Sequence, residues 1–194
     1  MELDDGRAFD LSRKVVEEAG FKAGMQLTAE RFEQLLATGW LRDALDASLR
    51  FIAFRPRSEA EVRSYLSRKR CPLEVAERVV VRLRERKELD DVAFTRFWLE
   101  NRDAFRPRSR RLLRGELRQK GIPAGLAEKM VQGVDDEAAA FRLGRLRASR
   151  LAYLEWPEFR LKLAGYLRRR DFDYETIDRV ARALWAERKD DEPS

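Results

Sequence analysis

The chain has 194 residues, 44% of them hydrophobic and 39% charged, with 10 Gly and 6 Pro. That is a globular composition whose charged share exceeds the roughly 25% of ordinary soluble proteins, so a large solvated surface is expected. Lysine and arginine number 41 against 35 acids, a net charge of +6 that favours anionic partners, while the absence of His and the single Cys remove the usual neutral-pH acid/base, the commonest metal ligand and any intrachain disulfide. Most enzyme classes are excluded on that ground, and no cofactor or metal site is expected.

The charge is unevenly spread. Residues 1–40 hold 5 basic and 8 acidic side chains, whereas residues 41–194 hold 36 and 27. In the acidic stretch, Leu3, Phe9 and Leu11 alternate around Asp5-Gly6, a strong two-residue turn, and predict a short β-hairpin. A helix from about Ser12, a turn at Gly20 to Gly24, and a second helix capped by Thr28 with Phe32, Leu35 and Leu36 as its apolar stripe complete this N-terminal extension, residues 1–40. Its acidic start lacks the basic, then apolar, order of a signal peptide, and no run approaches the ~18 apolar residues of a membrane span, so a cytoplasmic monomer is expected.

From residue 41 the apolar spacing is helical throughout, and it repeats. FRPRSEAEVRSYLSRKRCPLEVAERVV from Phe54 aligns without a gap on FRPRSRRLLRGELRQKGIPAGLAEKMV from Phe105, an offset of 51 (54 to 105). Leu66 matches Leu117, Pro72 matches Pro123, and Ala76-Glu77 match Ala127-Glu128. A more diverged copy starts at Trp156, where Leu163, Leu167, Ile177 and Val180 answer Leu113, Leu117, Ala127 and Met130 at an offset of 50.

Ser58 and Glu61 form a capping box that starts a helix; the second copy keeps Ser109 but has Leu112 in place of the acid, and its helix ends at Gly121 in left-handed geometry. A further helix follows each, over 72–87, 123–134 and 173–188, and a connecting helix precedes each pair, over 41–53, 91–104 and 136–153. The expected fold is mainly α: three tandem three-helix repeats (41–90, 91–135, and 136–194 with a polar tail) forming an elongated, curved array.

The same helix of every unit, the one before the 72–87, 123–134 and 173–188 helices, is basic. Arg55, Arg57, Arg63 and Arg68 fall in the first copy, Arg106, Arg108, Arg110, Arg111, Arg114, Arg118 and Lys120 in the second, and Arg160, Lys162, Arg168 and Arg169 in the third. Scattered Arg on helices is ordinary solvation, but recurrence on the same element of each unit makes these fifteen the candidate partner- or nucleic-acid-binding set, suited to a linear polyanion or an acidic filament. Arg142, Arg145, Arg147 and Arg150 on the third connector add to it.

Other chemistries fare poorly. No phosphate-cradling Gly-rich motif is present. Asp90-Asp91 and Asp135-Asp136 stand where acids cap the connecting helices, a better account than paired Mg²⁺ ligands. Cys71 has no His partner and reads as packing, as do Trp98, Trp156 and Trp185 among Leu and Phe.

Three blocks, LDDVAFTRFWLENR from Leu89, RRLLRGELRQKGIP from Arg110 and KLAGYLRRRDFDYETIDRV from Lys162, resemble in order those of the RecX family of regulators of the RecA recombinase. The resemblance covers about 150 residues. It implies three tandem three-helix repeats, no catalytic residues, and a regulator that binds the RecA filament and modulates, mostly by inhibition, its recombinase and coprotease activities. Two departures stand out: Arg108-Ser109 where many members have Gly-Pro, and Asp171 where the third block often has Gly, a change expected to alter the local turn. The alternative reading is a helical repeat protein that binds single- or double-stranded DNA independently of RecA.

Overall fold

A computed structural model describes Gly20 and residues 28–190, the side chains of 29–33, 35, 36, 189 and 190 excepted. Among the described residues there are nine α-helices and no strand. The hairpin expected at Asp5-Gly6, the helix expected from Ser12 and the stripe of Phe32, Leu35 and Leu36 lie outside that description. No described helix is long and apolar enough to cross a membrane. The chain divides into two compact units, Met1–Asp91 and Val92–Ser194.

The first unit contains α1 (Ala29–Ala53), α2 (Glu59–Arg68) and α3 (Leu73–Glu85). Two helices were expected here, one from Thr28 and one over 41–53; instead α1 runs unbroken through residue 40. The physical reason lies in the residues between them. Thr38 turns its hydroxyl back onto the Gln34 carbonyl at 2.8 Å, no Pro intervenes, and the single Gly39 costs only about 1 kcal/mol. Leu41 and Leu45 of α1, Val62 and Leu66 of α2, and Val75, Val79, Val80 and Leu83 of α3 form one buried core, closed by Leu89.

The second unit holds the remaining helices. These are α4 (Asp91–Phe105), α5 (Arg110–Gln119), α6 (Ala124–Val131), α7 (Asp136–Ala148), a 3₁₀ turn (Ser149–Leu151), α8 (Trp156–Arg168) and α9 (Tyr174–Asp190). The expected 136–153 connector thus ends its α-helical part at Ala148. Phe94, Leu113, Leu117, Ile122, Ala127 and Val131 build one core. A second gathers Ala139, Ala140 and Leu143 of α7 with Phe159, Leu163 and Leu167 of α8 and Ile177, Val180 and Leu184 of α9. Gly144 lets α7 and α9 close up, since a Cβ there would stand 2.8 Å from Leu184 Cδ1 and 3.2 Å from Val180 Cγ1.

The caps follow from the sequence. Ser58 accepts from the Glu61 N–H at 3.1 Å and Glu61 reaches back to the Ser58 N–H at 3.4 Å, the reciprocal box; Ser109 accepts from the Leu112 N–H at 3.2 Å alone. Helix α8 has no side-chain cap and places Pro157 in its first turn, where a missing N–H costs nothing. Both serines are buried, so Ser58→Ala and Ser109→Ala should each lower stability by about 1–2 kcal/mol, read from urea unfolding. A loss below a few tenths of a kcal/mol would show the caps to be dispensable.

The turn after each of α2, α5 and α8 passes through one left-handed residue: Arg70 (φ 56°), Gly121 (φ 77°) and Asp171 (φ 68°). Their N–H groups donate to Ser67, Arg118 and Arg168 carbonyls, each at 2.9 Å. The change of turn expected at Asp171 does not occur. Aspartate is among the few non-Gly residues that enter this region readily, and Arg70 shows that the turn forms even around a long side chain.

Candidate functional site

Most of the fifteen candidate cations are committed to the fold. Arg55 grips both carboxylate oxygens of Glu61 at 2.8 and 3.1 Å. Arg57 lies 3.8 Å over the Phe51 ring, and Arg63 bridges Glu77 at 2.8 and 3.1 Å and Glu59 at 3.2 Å. In the central helix Arg108 meets Glu116 at 3.0 Å, Arg110 donates to the Val134 carbonyl at 2.8 Å, Arg114 pairs with Glu128 at 2.8 Å, and Arg111 forks onto Asp171, its Nε at 2.6 Å from Oδ2. Lys120 sits 4.9 Å over Trp98, and Arg160 pairs with Asp178 at 2.9 Å and donates to the Tyr174 hydroxyl at 2.6 Å.

Six remain exposed with no ion-pair partner among the described residues: Arg68, Arg106, Arg118, Lys162, Arg168 and Arg169. Arg68, Arg118 and Arg168 all lie in the last turn of α2, α5 and α8; Arg118 and Arg168 are equivalent positions, whereas Arg68 aligns with Gln119 and stands one residue further along. A cation there also complements the helix dipole, worth about 0.3–1 kcal/mol. Each turn carries further cations that the sequence reading left out, exposed Lys69 and Arg70 after α2 and half-buried Arg170 after α8. Their alignment with Lys120 and Gly121 at the same offsets was the available signal.

Opposite these cations stands a recurring acid. Glu77, Glu128 and Asp178 take equivalent positions on α3, α6 and α9 and pair with Arg63, Arg114 and Arg160. The third pair starts one turn earlier on its helix, because Ala164 occupies the place of Arg114. Arg63 holds the Glu77 carboxyl below the usual carboxylate range, and Arg182, then Arg160, do so for Asp178. Glu74 and Glu175 add negative charge in the first turns of α3 and α9. A helix–turn–helix that reads DNA bases presents the start of its second helix to the groove, where these acids would meet phosphates.

The contact between first and second helices is filled differently each time. Phe51 stacks on Tyr65 with centroids 4.3 Å apart; Arg102 pairs with Glu116 at 2.7 Å; Arg147 lies 5.8 Å over Tyr166. A terminal cation covers the ring in each case, Lys69 on Tyr65 at 5.9 Å, Lys120 on Trp98 and Arg170 on Tyr166 at 3.7 Å. Trp156 and Trp185 pack with Phe159, consistent with the packing role expected of them.

The paired aspartates divide their work. Asp135 accepts from the Glu137 and Ala138 N–H groups at 3.0 Å and caps α7, while Asp136 accepts from the Arg110 N–H at 2.6 Å. Asp91 repeats the second contact, accepting from the Glu59 N–H at 2.9 Å, and burial pushes its carboxyl up. Among the described residues no group of His, Cys, Asp or Glu is placed to hold a metal. Cys71 is half-buried, and burial raises its thiol, as suits packing rather than reactivity.

Asp173 caps α9, accepting from the Thr176 N–H at 2.8 Å and the Thr176 hydroxyl at 3.1 Å, contacts that lower its carboxyl. A lowered folded-state value means stability that is present above the unfolded value and lost as pH falls through the folded one; Asp173, Asp178 and Glu77 all act in this sense, and Asp91 acts in the opposite one. Urea midpoints should therefore fall as pH drops below the usual carboxylate range. Asp173→Asn keeps the cap without the titration, so its decline should be shallower, and a curve superimposed on the unmodified protein would refute the assignment.

Two family models match the chain: the first three-helix domain of RecX over residues 44–83 and the second over residues 90–131. Regulatory protein RecX of Prosthecochloris aestuarii is 32% identical over 138 residues, covering 70% of this chain and 89% of that protein. The Lactobacillus gasseri protein of the same description is 25% identical over 98% of this chain and 71% of its own length. That of Halalkalibacterium halodurans is 30% identical over 129 residues; this chain spans 47% of its length. Among solved structures, a regulatory protein RecX superposes with a TM-score of 0.69 at 18% identity over 92% of this chain and 91% of that one. RecX from Lactobacillus salivarius superposes with 0.67 at 17% over 75% and 96%. These two likenesses establish the fold.

Proposed function

The chain belongs to the RecX family, and on that premise we propose that it is a non-enzymatic regulator that binds the RecA nucleoprotein filament and inhibits its ATPase, recombinase and coprotease activities. Three tandem three-helix repeats, α1–α3, α4–α6 and α7–α9, carry the interaction. The observation that carries the reading is an exposed cation in the last turn of each second helix, Arg68, Arg118 and Arg168, left without an acid while most cations of the helix bodies are held by contacts within the fold. A filament of acidic protein and phosphate presents repeated negative charge to such a set. Occupying that surface obstructs subunit exchange or access of a substrate protein.

The same cations suit phosphate alone, which keeps a second reading open: a DNA-binding protein that needs no RecA. The two separate in parallel pull-downs on RecA–ssDNA filament, free RecA and free ssDNA. Retention on the filament well beyond ssDNA supports the regulator; equal retention on ssDNA, with log affinity falling linearly against log salt, overturns it.

A further inference from the structure

The space between the second and third helices recurs as an open groove. Between α2 and α3 it has a volume of about 470 Å³, and between α8 and α9 about 570 Å³, both within the roughly 300–1,000 Å³ of ligand-binding clefts. Part of their lining corresponds, Leu73 to Tyr174, Ala76 to Ile177 and Glu77 to Asp178. Leu73 and Tyr174, each the first residue of its helix, form an apolar lip that is 76% and 73% exposed. Unpartnered Arg68 lines the first groove and unpartnered Arg168, at the place of Ser67, lines the second. The same linings include the ion pair of Arg63 with Glu77, or of Arg160 with Asp178.

We infer that this groove, present at α2–α3 and again at α8–α9, is a docking site for a protein segment in which an aliphatic side chain stands beside a carboxylate. The aliphatic group covers Leu73 or Tyr174, large apolar surfaces otherwise left in water, and the carboxylate meets Arg68 or Arg168, cations with no acid of their own. A nucleic-acid strand fits less well. Its phosphates would run along Glu77 or Asp178, and of the two lips only Tyr174 offers a base a face on which to stack. The middle pair of helices supplies an internal comparison: Arg118 and the Arg114–Glu128 pair are in place, but Ala124 stands where the lip should be. The inference rests on the reading that the target is a protein surface, and it names the kind of segment on that surface.

The probe is a short synthetic peptide of alternating Leu and Glu, capped at both ends, titrated into the full ¹⁵N-labelled chain. Backbone resonances around Arg68 and Leu73, and around Arg168 and Tyr174, should move. Arg68→Ser with Leu73→Ser should weaken the first response about tenfold, and Arg168→Ser with Tyr174→Ser the second, with helicity unchanged because the altered positions are exposed. Ala124→Leu should add a response at Arg118 and Glu128. Equal binding of a Leu/Gln peptide, undiminished binding by the two double variants, or larger shifts of the same resonances by oligo-dT would each overturn the inference. Because the peptide titration contains no RecA, failure on the filament with retained peptide response would sink only the functional reading.

Discussion

Replacing Arg68, Arg118 and Arg168 together by Gln is expected to weaken binding to the RecA filament on the order of a hundredfold, at about 1 kcal/mol for each exposed cation lost, while lowering stability by no more than the roughly 0.3–1 kcal/mol of each helix-end charge. All three lie at exposed helix ends with no partner to lose. The central helix makes the contrast. Reversing Arg111 or Arg114 sets a new carboxylate against Asp171 or Glu128, so loss of function there would come mixed with loss of stability. Arg70→Gly is the accompanying control, since it removes a neighbouring cation from a residue at φ 56° where glycine relieves strain, and stability should hold or rise by up to about 1 kcal/mol. Filament binding by the triple variant equal to that of the unmodified protein would remove these turns from the interface.

Phe159→Ala is expected to cost about 3–5 kcal/mol in urea unfolding, the largest stability loss of any change considered. Phe159 is fully buried, joins α7, α8 and α9 in one core, and packs edgewise on Trp185 at 5.2 Å and against Trp156 at 6.3 Å. Phe159→Leu preserves most of the volume and should cost less than about 1.5 kcal/mol. The two indoles report the change directly, because both pack on the ring that is removed. A cost below 1 kcal/mol for the alanine variant would show that the core collapses into the space.

The helical fold was legible because its determinants are local. Ser58 and Ser109 sit where caps are needed, Gly121 where the chain must turn left-handed, and the apolar residues recur at an offset of 51 because each turn needs the same neighbours. Continuity of α1 is less legible, because the charge balance changes near residue 40 although no residue there stops a helix. For the cations, residue type and recurrence were readable but pairing was only half so. Arg63 with Glu77 and Arg114 with Glu128 share a spacing of 14 in both copies, a visible sign that these charges answer one another. Arg111 finds Asp171 at a separation of 60, which only the packing of α5 near the turn after α8 determines. The exposed lip of Leu73 and Tyr174 was hidden by its chemistry, since Leu and Tyr at helical spacing read as core until exposure is known.

Tandem segments this alike carry a hazard: during folding one copy's second helix can lie down on another copy's first. The contact filled by Phe51 and Tyr65, by Arg102 and Glu116, and by Arg147 and Tyr166 works against that error. Lay α5 on α1 and Glu116 faces the Phe51 ring in place of Arg102, keeping only Arg108; lay α2 on α4 and Arg102 forfeits its carboxylate for an aromatic face. The Arg102–Glu116 pair satisfies both its members, and a mismatch takes that ion pair away at a half-buried position, which costs about 1–3 kcal/mol. Three chemistries at one contact thus act as a label that tells each copy which helix is its own.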